Sequence, residues 1–189
     1  MSDGIITQTL ADHVKTIQSM GTELAGELEK VSDAMVRALK AGNKVLAMGN
    51  GGSAADAQHL AGELIGRFLE ERIALAAIAL TADTSILTAV ANDYGYEAVF
   101  LRQVEGLARS GDVVVGISTS GNSANVISAL ARAKELGCVT VGLTGCHGGE
   151  IGRMTDYSLV IPSSETPRIQ EGHILLIHIL CDLVEKQFL

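Results

Sequence analysis

Two short stretches of this chain gather hydroxyls, amides and glycines at places where a backbone turns. Ser118-Thr119-Ser120-Gly121-Asn122-Ser123 carries four hydroxyls around one glycine, and Gly49-Asn50-Gly51-Gly52-Ser53 carries three glycines beside an amide and a hydroxyl. Hydroxyls and main-chain N–H groups at the start of a helix suit phosphate, because a helix N-terminus leaves its first N–H groups unpaired and carries partial positive charge. The same residues also cap a helix and make a tight turn without any ligand, so each loop read alone leaves both roles open. Neither is a Walker A loop or a dinucleotide fingerprint, since the Lys-Ser/Thr ending and the final glycine spacing are missing. Two such loops at neighbouring strand ends make a shared ligand cleft the better reading.

A second set of residues has proton-transfer and metal-binding chemistry. His59 and Glu63 lie four apart and project from one helix face, where they can ligate a divalent ion, work as an acid/base pair, or make a surface contact. Gln170, His173 and His178 follow on one late helix. His178 stands among Ile177, Ile179 and Leu180 and is expected to be buried, as a satisfied core residue or as a ligand. His147, in Gly145-Cys146-His147-Gly148-Gly149, either borders the site or belongs to a turn. His13 and His173 have no evident role.

These side chains need a scaffold, and the alternation of apolar runs supplies one. Apolar residues at helical spacing from about residue 5 to Lys40 predict one long helix or two, with Gly21 a break. Strands are expected at 44–48, 76–80, 112–117, 138–143 and 157–161. Helices are expected at 53–68, 83–91, 97–108, 123–136 and 168–186. Alternating strand and helix with short connections implies α/β architecture: a doubly wound, mainly parallel five-stranded sheet with N-terminal helices. Ligands in such sheets bind beyond the carboxyl ends of the strands, where both loops fall. The last helix leaves almost no polar face, which predicts burial against partner subunits and therefore an oligomer.

Composition narrows the classes. The chain has 189 residues, suited to a single domain with a real core, and only 3% are aromatic, so that core must be aliphatic. A formal charge of -8 argues against nucleic acid as a partner. Residues 1–18 lack the apolar core of a signal peptide, and the apolar run 174–180 is too short to span a bilayer. Cys138, Cys146 and Cys181 have no metal-binding spacing and read as reduced thiols in a cytosol.

Taken together, Gly-Asn-Gly-Gly-Ser after the first strand, Gln58-His59-x3-Glu63, Ala91-Asn92-Asp93-Tyr94-Gly95, Ile117 through Val126 and Arg168-Ile169-Gln170-Glu171-x-His173-x4-His178 resemble the phosphoheptose isomerases of the sugar-isomerase (SIS) superfamily. The resemblance covers nearly the whole chain in order. It implies a flavodoxin-like SIS domain over 1–189, with oligomerisation helices at 1–41 and the α/β core and C-terminal helix at 42–189. The activity implied is conversion of sedoheptulose 7-phosphate to D-glycero-D-manno-heptose 7-phosphate through an enediol or enediolate. The setting implied is a cytoplasmic homotetramer, feeding cell-envelope heptose synthesis, with one zinc ion per subunit. Carried over by motif, the metal ligands are His59, Glu63, Gln170 and His178. The substrate contacts are Asn50, Gly51, Gly52, Ser53, Glu63, Asn92, Asp93, Ser118, Thr119, Ser120, Ser123 and Gln170. Glu63 is implied as base and His178 as its acid/base partner. Gln170 and His178 stand about 12 Å apart along an ideal helix, so both reach one ion only if Gln170 lies at a frayed first turn or another subunit supplies one of them. Two other readings stay open. One is a non-catalytic phosphosugar-binding regulator that binds the replication initiator DnaA, whose family lacks the acid and imidazole found here at Glu63 and His178. The other is an isomerase or lyase for a different phosphosugar.

Overall fold

A computed structural model describes residues 2–189. The N-terminal helical run is two helices, α1 (Ser2–Gln18) and α2 (Gly21–Lys40), divided where Gly21 takes a φ of +60°. The core then alternates: β1 (Val45–Gly49), α3 (Gly52–Ile65), β2 (Ala77–Ala79), α4 (Thr84–Tyr94), α5 (Leu101–Leu107), β3 (Val113–Ser118), α6 (Ala124–Glu135), β4 (Val139–Gly145), α7 (Gly149–Met154), β5 (Tyr157–Ile161) and α8 (Thr166–Glu185). Every strand pairing is parallel, in the order β2-β1-β3-β4-β5. This is the doubly wound order whose direction of growth reverses between β1 and β3, and the crevice beyond those two strand ends is the expected ligand seat.

The central strands β1, β3 and β4 bury both faces, as the inner strands of a parallel sheet do, while the edge strands β2 and β5 keep partial exposure. Val45, Ala47, Val113, Val115, Ile117, Val141, Leu143, Leu159 and Ile161 face α2, α3 and α8. Leu46, Met48 and Val114 face the other way, against Val104 of α5, Val126 and Leu130 of α6, and Ile151 of α7. Aliphatic side chains fill both layers, and Phe100 is the one aromatic among the largest fully buried residues described.

Three local expectations change. The stretch expected as one helix over 97–108 is a 3-10 turn, Tyr96–Ala98, followed by α5. The short α7 was not expected, because its start is a pair of positive-φ glycines, Gly148 and Gly149, that reads as a turn. α4 runs on to Tyr94, so Asn92 and Asp93 sit on a helix; Asp83 starts it by accepting a hydrogen bond from the Ile86 N–H. In α8, Leu176, Ile177, Leu180, Cys181 and Val184 are buried, whereas Ile174, Leu175, Ile179 and Leu183 keep partial exposure. Among the described residues, no helix is long and apolar enough to cross a membrane.

Candidate active site

The serine loop joins β3 to α6. Ser123 stands at the N-cap, but its hydroxyl makes no capping bond and lies 2.8 Å from the Ser118 hydroxyl, which in turn is 3.4 Å from that of Ser120. The hydroxyls therefore face one another across the loop and leave the first N–H groups of α6 without a side-chain cap, the arrangement an anion can use. Thr119, Ser120 and Asn122 line a cavity of about 360 Å3 together with Cys146, His147 and Thr166, and no Lys or Arg contributes to its wall. His147 thus borders this cavity.

The glycine loop stands beside it. Gly51, with a φ of +57°, forms the N-cap of α3, and no side chain caps the helix there. Asn50 is tied to the serine-loop side by a reciprocal amide pair: its Nδ2 donates to Asn125 Oδ1 and Asn125 Nδ2 donates to its Oδ1, each at 2.9 Å. The Tyr96 hydroxyl also donates to Asn50 Oδ1 at 2.9 Å. Asn125, buried on α6, and Tyr96 were not among the residues singled out from the sequence. Asn125 lies inside the quoted serine motif, and only its partnership across 75 residues reveals a task. Asn92 and Asp93 hydrogen bond to each other on the exposed end of α4, the helix that leads to Tyr96.

α3 and α8 lie side by side and run the same way: Gly52 meets Gln170 near their starts, and His59 meets His178 two turns on. His178 Nε2 stands 3.1 Å from His59 Nε2, whose ring in turn lies 3.1 Å from Glu63 Oε1. Residues 119 apart in sequence are thereby joined in one row, His178–His59–Glu63. His178 is half-buried, contrary to expectation, because adjacent residues on a helix point to different faces. The buried imidazole of α8 is His173, whose Nε2 lies 3.0 Å from the Thr144 carbonyl oxygen and donates to it. Burial pushes the His173 value down to about 4, against the raising effect of that bond, so the ring is neutral near pH 7. His13, also without an expected role, pairs with Glu171 at 2.8 Å.

Two imidazoles and a carboxylate are a donor set that divalent zinc accepts, and steps of 3.1 Å are close to the roughly 3.4 Å edge of a tetrahedron with zinc–nitrogen bonds. The donors form a row and do not yet converge: among the described residues, no three His, Cys, Asp or Glu side chains make a ready cage. Gln170 is not at a frayed turn. It is the fifth residue of α8, and its amide fills the space beside Gly52 at the start of α3. Within one chain the candidate donors joined by direct contacts are His59, Glu63 and His178. Asp56, one turn before His59, has an Oδ2 that is buried without a hydrogen-bond partner; burial raises its carboxyl to about 6, moderated by the nearby His59.

Known proteins share this fold and much of this sequence. The family model for the SIS domain matches residues 10–145. A phosphoheptose isomerase from Geobacter metallireducens is 57% identical over 98% of this chain and 98% of its own length. The solved phosphoheptose isomerase from Neisseria gonorrhoeae superposes with a TM-score of 0.94 at 46% identity, covering 98% of this chain and all of that one. A second, from Francisella tularensis, gives 0.95 at 36% identity over 98% of this chain and 99% of its own.

Proposed function

The chain belongs to the SIS-domain family and, within it, to the phosphoheptose isomerases, and from that premise we propose that it interconverts sedoheptulose 7-phosphate and D-glycero-D-manno-heptose 7-phosphate. The observation that carries the reading is the His178–His59–Glu63 row, two imidazoles and a carboxylate linked in steps of 3.1 Å, with His59 and Glu63 on the helix that begins at the glycine loop.

The phosphate binds at the serine loop, where Ser118, Thr119, Ser120 and Ser123 offer hydroxyls and α6 offers its N-terminal N–H groups. Asn50, Ser53 and Gln170 donate to sugar hydroxyls at the glycine-loop end, with Asn92 and Asp93 closing over them. An aldose–ketose exchange needs a proton taken from the carbon next to a carbonyl and returned to its neighbour. Glu63 takes the proton from C1 of the ketose and delivers it to C2, and His178 moves the proton between the two oxygens. His59 stands between them and orients both. We propose that His59, Glu63 and His178 hold one zinc ion per subunit, which supplies Lewis-acid polarisation of the substrate oxygens. Ile5, Ile6, Leu10 and Val14 are exposed along α1, and with the uncovered part of α8 they support a homotetramer. The three unpaired cysteines support a cytoplasmic setting. No observation favours the DnaA-binding regulator.

The test is a coupled assay of sedoheptulose 7-phosphate turnover by the zinc-supplied protein and its Glu63→Gln and His178→Gln variants. Each variant is expected to fall at least about 10²-fold in kcat, as loss of a positioned acid or base does, with fold and oligomer unchanged. Turnover surviving in both variants defeats the assignment.

A further inference from the structure

Behind the row lies a buried ion pair with no part in the chemistry described so far. The Glu185 carboxylate, on the last residue of α8, accepts the backbone N–H groups of Phe68, Leu69 and Glu70 at 2.8, 2.7 and 2.8 Å. Arg72 Nε stands 3.4 Å from the same carboxylate, and the two side chains are 1% and 2% exposed. The Arg72 Nη atoms donate to carbonyl oxygens at the end of α3, Nη2 to that of Glu63 at 2.6 Å and Nη1 to those of Leu64 and Gly66 at 2.8 and 2.9 Å, and Nη1 also meets the Ile73 carbonyl oxygen at 2.9 Å.

Each of these bonds meets a specific physical need. The last four carbonyls of a helix have no partner inside it, and a cation at that end opposes the helix dipole. Arg72 answers both needs for α3, and the carbonyls it takes begin with that of Glu63. Three consecutive N–H groups aimed at one carboxylate fix the loop that follows α3. That loop carries Phe68, whose ring centroid lies 5.6 Å from that of His178. Glu185 is also two turns beyond His178 on α8, so it lies on nearly the same helix face. Burial alone would push the Glu185 carboxyl up, but the three N–H bonds and the Arg72 charge hold it below its ordinary value, so the anion is the bound form.

We infer that Arg72 and Glu185 are positioning residues for the isomerisation: the pair fixes the backbone of Glu63 from one side and, through Phe68, the ring of His178 from the other. The inference rests on the reading of Glu63 and His178 as the reacting pair. It separates from a purely structural role because a clamp on geometry acts on kcat more than on substrate binding, whose donors lie at the other end of α3.

The experiment compares full-length, zinc-supplied wild type with Glu185→Gln, Arg72→Lys and Phe68→Ala, measuring kcat and KM for sedoheptulose 7-phosphate, oligomer size, and amide hydrogen exchange over residues 66–75. Glu185→Gln and Arg72→Lys are expected to speed exchange in that segment and to lower kcat by roughly ten- to hundredfold, the loss that about 1 Å of misplacement brings, with KM within about threefold. Faster exchange with wild-type kcat overturns the inference, as does a change confined to KM. Should both variants fail to fold, Phe68→Ala decides: a kcat loss in an intact oligomer supports the inference, and wild-type kcat overturns it. Turnover surviving Glu63→Gln and His178→Gln defeats the reading of the reacting pair. Inactive row variants beside kinetically normal Glu185→Gln and Arg72→Lys defeat the positioning pair alone.

Discussion

His173 shows how far a single ring can set the acid tolerance of this molecule. Its Nε2–H is committed to the Thr144 carbonyl, and its Nδ1 is buried without a partner, so a second proton has nowhere favourable to go. The folded value of about 4 lies below the ordinary 6.5, so the unfolded chain binds the proton first as pH falls. Its contribution is therefore fully present above pH 6.5 and is lost on descending towards pH 4, by at most about 3 kcal/mol. His173→Gln keeps a donor without a titrating ring. It is expected to be less stable than wild type at pH 7, with the gap closing towards pH 4.5 in denaturant melts; parallel curves would refute this. Thiol chemistry offers a second check. Burial, then the Glu63 charge, pushes the Cys181 thiol up to about 12, and burial raises Cys138 as well, while Cys146 is exposed. A disulfide reagent should titrate one thiol per native chain and three after unfolding. At this scale the sequence was partly readable. The hydroxyls of the serine loop and the His59–Glu63 spacing were visible, since local order carries both. The exposure of His178 and the bond between Asn50 and Asn125 were not, since each depends on which helix lies opposite.

Elements were legible wherever a long periodic run carried them. All five strands fall within a residue or two of their expected positions, because each is a short continuous apolar run, doubly buried in β1, β3 and β4. The misses cluster where glycines replace periodicity, at α7 and at the turn before α5. Gly121 illustrates the reason. Its φ is +67°, and a methyl group there would overlap the carbonyl of Gly148, because the serine loop lies back to back against the start of α7. The Ile151 N–H also donates to the Gly121 carbonyl at 2.9 Å. Gly121→Ala is expected to lower stability by about 2 kcal/mol or more and to raise KM, read by thermal melts and the coupled assay. An unchanged melting temperature would show that the two loops part easily.

For the molecule as a whole, apolar surface left uncovered is the feature with consequences. Ile6, Leu10 and Val14 repeat every four residues along α1 and remain at least half exposed. A double Ile6→Glu, Leu10→Glu substitution is expected to reduce oligomer size in sedimentation or gel filtration while the monomer's far-UV spectrum stays helical; an unchanged assembly would place the contacts elsewhere. The periodicity of α1 announced that a face needed cover but not what covers it, because a stripe carries no address. That α3 and α8 are neighbours was equally beyond reading, since a parallel sheet fixes the direction of its helices but not which of them lie side by side. That alignment gives the crevice an electrical direction. The dipoles of α3 and α8 on one face of the sheet, and that of α6 on the other, turn their positive poles towards the glycine and serine loops, while the negative poles of α3 and α8 gather at the far end, where Arg72 sits. On the proposed reading, an anionic sugar is expected to be sorted head from tail as it enters, so a substrate stripped of its phosphate should lose its orientation as well as its grip.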